Sequence, residues 1–238
     1  MAAERWAGTR NDLDRRAAER VAAELARAAS GGTPAVLAVV GGRSVGGIFA
    51  ALQSAAVPWQ SVHVLLADER LVPIDSDESN FKLVNADLIE PLRKRGLLPA
   101  GNVHPFQVDD SRPDRGIDAY RDVLRALGGR LHAVVLSAGE DGHTASLFPR
   151  HPSIDDPGDS FVLVSDAPKP PPDRMSASRR LLAAAALGVI VFYGEGKRDA
   201  LRRFDDSTLG VRDCPSKVVG EMAAALVLTD LAPTRDRT

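Results

Sequence analysis

Cysteine is nearly absent from this 238-residue chain: Cys214 stands alone. One thiol cannot close an internal disulfide, and no set of cysteines and histidines has the spacing of a structural zinc site, so a reducing compartment fits. Long apolar runs are missing as well. The amino end has no continuous apolar stretch, and the longest runs elsewhere are too short to cross a bilayer, which predicts a soluble, cytoplasmic protein. An excess of either charge is also lacking. With 30 basic against 32 acidic residues there is no global pull toward nucleic acid or a membrane surface, so any anion site must be local. Internal repeats and low-complexity stretches do not occur, and the length suits one domain, 1–238.

What is present alternates. Leu13, Ala17, Val21, Leu25 and Ala28 recur at helical spacing and predict an amphipathic helix from Asp12 to Ala29, stopped at Ser30-Gly31-Gly32. Ala35–Val40 reads as a strand buried on both faces, leading through Gly41-Gly42-Arg43-Ser44 into an apolar helix ending at Leu52. A glycine-rich turn between strand and helix leaves backbone N–H groups free for a phosphate, with Arg43 and Ser44 as added donors. Its spacing matches neither the dinucleotide fingerprint nor the lysine-containing nucleotide loop.

Ser61–Ala67 predicts the next strand, ending in Asp68-Glu69-Arg70. Helices are expected at 80–95, closed by Gly96, and at Arg112–Leu127. Leu131–Leu136 is another buried strand, and it opens into Ser137-Ala138-Gly139-Glu140-Asp141-Gly142-His143. A histidine at the carboxyl end of a buried strand is a candidate general base, and Asp141 two residues earlier could orient its ring. Read alone, the same residues make turns and a helix cap.

Phe161–Val164 is a short strand. The stiff segment Pro168–Arg174 that follows could hold Lys169 or Arg174 at fixed reach. Leu181–Leu187 looks helical and Val189–Tyr193 strand-like, leading through Gly194-Glu195-Gly196-Lys197 into a helix ending at Phe204, with Lys197 a second phosphate candidate. Ser216–Leu231 is either a closing helix or a helix and a strand. The alternation predicts an α/β fold with three αβα layers and a mainly parallel, Rossmann-like sheet.

Four blocks carry a resemblance to the 6-phosphogluconolactonase family: Gly41–Ser44; Asp68–Pro73 with Ser79-Asn80; Gly139–Pro149; and Pro168–Arg174 with Gly194–Lys197. The resemblance implies the fold of glucosamine-6-phosphate deaminases and ribose-5-phosphate isomerases, and hydrolysis of 6-phospho-D-glucono-1,5-lactone without metal or organic cofactor. It carries His143 over as the base activating water, with Asp141 beside it and Asp68 as a polar group in the sugar pocket. Arg174, Lys197 and the Gly41-Gly42-Arg43-Ser44 turn become phosphate ligands, and Arg70 shapes the pocket. The sugar phosphate would be the only partner of a monomer or weak homodimer, with no nucleic acid and no membrane.

The likeness is incomplete. The family commonly follows Gly-Gly-Ser with Thr-Pro, whereas here Arg43 precedes Ser44 and Val45 follows it. Related deaminases place a glutamate five positions after Asp-Gly-His, where this chain has Phe148. A sugar-phosphate isomerase or deaminase, and a sensor that binds without turnover, remain the alternatives.

Overall fold

The computed structural model describes residues 3–232. In chain order it runs β1 (Glu4–Ala7), α1 (Arg10–Ala29), β2 (Ala35–Val39), α2 (Gly46–Leu52), β3 (Val62–Leu66), β4 (Asp68–Arg70), α3 (Asn80–Val84), α4 (Glu90–Lys94) and β5 (Val103–His104). It continues with α5 (Ile117–Ala126), β6 (Ala133–Ser137), β7 (Phe161–Val164), β8 (Arg174–Ala177), α6 (Arg179–Ala183), β9 (Leu187–Phe192), α7 (Arg198–Asp205) and β10 (Ala225–Thr229).

Seven strands form one parallel sheet in the order β1-β10-β9-β6-β2-β3-β5. Its apolar strands β2 and β9 are buried at every residue, as a sheet covered on both faces requires. From β2 the order proceeds outward to β3 and β5, and from β6 the other way to β9 and β10. Right-handed crossovers in opposite directions put the connecting helices on opposite faces, which yields three layers. Helix α1 buries Leu13, Ala17, Val21, Leu25 and Ala28 along one stripe. Each large side chain there contributes about 1.5–3 kcal/mol relative to exposure.

Several elements differ from expectation. Helix α1 starts at Arg10 because Thr9 caps it, its side chain accepting from the backbone N–H of Asp12. Helix α5 starts at Ile117 rather than Arg112, since Gly116 (φ 95°) breaks the backbone just before it and a Cβ there would lie 2.5 Å from the Gln107 carbonyl. Leu187 belongs to β9, paired with Ala133, and α6 ends at Ala183. The carboxyl segment resolves into a short 3₁₀ helix, Pro215–Glu221, and β10.

A second, three-stranded antiparallel sheet, β4-β8-β7, was not foreseen. At Ala67, whose N–H still bonds to Val39 O (2.8 Å), the chain leaves the main sheet. Asp68, Glu69 and Arg70 then pair with Ser176, Met175 and Arg174. Glu69 is buried and accepts four hydrogen bonds: backbone N–H groups of Arg70, Asn80 and Phe81, each 2.7 Å, and the Ser79 hydroxyl at 3.0 Å. Burial pushes its carboxyl above the ordinary range, against the pull of those donors. Its side chain thereby ties β4 to the amino end of α3. Glu69→Gln points an amide NH₂ at donors and should cost about 2–3 kcal/mol, lowering Tm by roughly 5–10 °C in a thermal melt. An unaltered Tm would show that the tie carries no stability.

Candidate active site

Strands β2 and β6 are neighbours, and it is between them that the strand order reverses. Loops leaving their carboxyl ends diverge, and a crevice opens at such a switch point. A cavity of about 370 Å³ lies there, walled by the turn after β2 (Gly41, Gly42, Ser44) and the loop after β6 (Ser137–Glu140, His143, Ala145). The second sheet contributes Asp68, Arg70 and Arg174, α3 contributes Asn80, and Lys169 and Lys197 complete the lining.

The histidine is held from three sides. Its Nδ1 lies 2.5 Å from Asp141 Oδ1, and its backbone N–H donates to the same oxygen at 3.2 Å. Facing a carboxylate, Nδ1 carries the proton in the neutral ring, which leaves the lone pair on Nε2, an atom with no hydrogen-bond partner among the described residues. The ring packs against Phe148 with centroids 4.7 Å apart. On its other side is Gly139, where a Cβ would come within 2.0 Å of the imidazole. Glycine is therefore the residue that lets the ring lie flat on the loop. Burial disfavours the Asp141 charge, but the hydrogen bond and charge of His143, with Lys169 behind them, outweigh it and hold the carboxyl far below its ordinary range. Asp141 is a carboxylate at any pH where the histidine can work.

The opposite wall is built on a second close approach. Gly41 lies against Asn80, whose Oδ1 would be 2.4 Å from a Cβ at 41. Asn80 Nδ2 in turn donates to the backbone carbonyl of Asp68 (3.0 Å). Asp68, itself buried, accepts from the Ser146 hydroxyl at Oδ2 (2.8 Å). Ala145, in the left-handed region (φ 48°), turns the chain so that Ser146 faces that carboxylate. A strained turn thus links the histidine loop to β4.

Four cations reach the cavity against two lining carboxylates, Asp68 and Glu140, an excess of two positive charges. Arg174 is buried, and its fork is mostly committed: Nε donates to Pro171 O (3.0 Å), and Nη2 to Lys169 O (3.0 Å) and Pro170 O (3.1 Å). Only Nη1 remains for a ligand. Burial lowers its pKa, partly offset by Asp68. Lys197 is half-buried, and desolvation likewise lowers its pKa.

The geometry brings Gly41, Gly42, Ser44, Asp68, Arg70, His143, Arg174 and Lys197 to one cavity. Arg43 points to solvent and lines none of it, because the turn presents Gly42 and Ser44 instead. Asp141 stands behind the histidine rather than on the wall. The resemblance selects Arg174 from the stiff segment and leaves Lys169 out, yet both line the cavity. It passed over Asn80 and Glu140 as lining residues and Ser146 as the partner of Asp68. All three lie inside blocks that carry the resemblance, Asn80 in the second and Glu140 and Ser146 in the third, but their contacts depend on where the chain brings those blocks together. Among the described residues no group of three or more His, Cys, Asp or Glu side chains could hold a metal ion, and no helix is long and apolar enough to cross a membrane.

Comparison with known proteins agrees with this architecture. The family model described as glucosamine-6-phosphate isomerases/6-phosphogluconolactonase matches residues 8–228. A 6-phosphogluconolactonase of Thermotoga maritima is 33% identical over 164 residues, covering 68% of this chain and 71% of that protein. The GDH/6PGL endoplasmic bifunctional protein of Oryctolagus cuniculus is 37% identical over 172 residues, 68% of this chain; the match spans only about a fifth (21%) of that longer protein. Among solved structures, a 6-phosphogluconolactonase from Shewanella baltica superposes with a TM-score of 0.81 at 24% identity, covering 95% of this chain and 97% of that one, a likeness of fold. With the family model spanning nearly the whole sheet and the cavity at its switch point, the chain belongs to the glucosamine-6-phosphate isomerase/6-phosphogluconolactonase family.

Proposed function

We propose that this chain hydrolyses 6-phospho-D-glucono-1,5-lactone to 6-phosphogluconate, a step of the oxidative pentose phosphate pathway. One observation carries the reading: the Asp141–His143 pair opens onto a cavity whose lining has two positive charges in excess, matching a phosphate dianion tethered to a hydrolysable ring. Nε2 of His143 takes a proton from water as it attacks the lactone carbonyl, C1. Asp141 holds the Nδ1 proton and stabilises the imidazolium that forms. The ring oxygen then leaves, and the proton on His143 is available to it. Bound at a distance from C1, the phosphate supplies binding energy that orients the ring; Lys197 and the uncommitted Nη1 of Arg174, both residues of the lining, receive it in this reading.

The same reading has the enzyme work without metal or organic cofactor, in the cytoplasm, as a monomer or weak homodimer, with the sugar phosphate rather than nucleic acid or a membrane as its partner. Related deaminases place a glutamate five positions after the Asp-Gly-His motif. Phe148 fills that place with an apolar ring 4.7 Å from the imidazole, which favours hydrolysis. The test is acid release from freshly made lactone, measured against the spontaneous rate, with glucosamine-6-phosphate and ribose-5-phosphate as controls. Acceleration of the lactone alone is expected. Turnover of either control instead would move the reading to the isomerase branch, and binding without turnover would make the protein a sensor.

A further inference from the structure

Lys169 and Lys197 come from different loops, yet both ammonium groups face the cavity and repel one another across it. Lys197 feels Asp141 at longer range, but Lys169 comes within ion-pair distance of it: its Nζ lies 3.5 Å from Asp141 Oδ2, while Oδ1 of the same carboxylate holds His143. One carboxylate is thus divided between a cation on the cavity wall and the candidate base. The backbone at Lys169 is fixed, because the buried Arg174 donates to its carbonyl. Its side chain is nearly half exposed.

Building on the lactonase reading, we infer that Lys169 is a positioning residue that couples occupancy of the phosphate site to activation of His143. With the cavity empty, the ammonium draws charge on Asp141 away from the histidine. A phosphate dianion entering between Lys169 and Lys197 relieves their repulsion and outcompetes a single shared carboxylate, itself about a third exposed, for the Lys169 ammonium. Released from Lys169, Asp141 bears on His143 alone, through the ring and backbone N–H groups, and favours the imidazolium that forms as water is deprotonated. The base is fully armed only when a phosphorylated ring is in place, which discriminates against lactones lacking the phosphate.

The test separates the phosphate from the ring. Wild-type protein is given unphosphorylated glucono-1,5-lactone with increasing inorganic phosphate, and enzymatic acid release is read above the spontaneous rate. Phosphate should raise kcat by about 5- to 100-fold, the range of ordinary site-to-site coupling. Lys169→Met should abolish that activation and raise KM for the phosphorylated lactone, and Lys169→Arg should restore part of the activation; a merely structural lysine would not move this response. Activation of Lys169→Met by the wild-type factor, or no activation of the wild type, overturns the coupling while leaving the lactonase reading intact. If wild-type protein fails to hydrolyse even the phosphorylated lactone, the lactonase reading falls and the coupling falls with it.

Discussion

His143→Asn lowers kcat for the phosphorylated lactone by about 10²- to 10⁴-fold, the range of general-base catalysis, and leaves KM within about threefold of wild type. The amide can still accept or donate a hydrogen bond toward Asp141, so the loop keeps its shape, but it has no basic nitrogen to take a proton from water. The proposed phosphate ligands, Arg174 and Lys197, do not include the ring, so binding should be spared. The imidazole is also only partly buried, with a side chain 19% exposed, so the fold loses little. Steady-state kinetics on fresh lactone, with a thermal melt as control, decides the matter. Undiminished kcat would remove His143 from the chemistry.

Arg174→Met has the next largest effect, and it appears in two measurements at once. Removing the guanidinium leaves the carbonyls of Lys169, Pro170 and Pro171 without their donor and takes one cation from the cavity. Each charge-assisted hydrogen bond is worth about 1.5–3 kcal/mol, so KM should rise about 10- to 100-fold and Tm should fall as well. Arg174→Lys tells charge from shape. A lysine keeps the cation but has no planar fork to span three carbonyls, so it should recover only a small part of either loss. Full recovery with lysine would mean that the residue acts as a point charge and that the loop is held by something else.

Much of this fold could be read from the sequence because its strands are buried on both faces. The apolar runs at 35–40, 61–67, 131–136 and 189–193 and the stripe from Leu13 to Ala28 each mark an element to within a few residues. Illegible elements are those made by their partners. Asp68-Glu69-Arg70 has no strand propensity, and it is a strand only because Ser176, Met175 and Arg174 lie opposite. Residues β1 and β5 contribute are few, and both strands sit at the sheet edges, where little apolar content is required. At the site, the Asp141–His143 geometry follows from a two-residue spacing and a local turn. By contrast, the division of labour among Lys169, Arg174 and Glu69 depends on where distant backbone groups fall. Arg43 illustrates the converse: a cation in a glycine-rich turn invites a role, but turn geometry alone decides which way it points.

No two neighbouring strands of the main sheet are joined by a hairpin, and the edge strand waits longest: Glu4 through Ala7 find their partners at Leu226 through Thr229. The chain cannot zip itself together from local pairings, so folding must close long loops before contacts reward it, and it should be slow for a protein of this size. On the ribosome, most of the walls of the cavity are synthesised before the strand that completes the sheet. Until that strand emerges, the nascent chain leaves the apolar edge of β9 unpaired, a surface open to association with other chains.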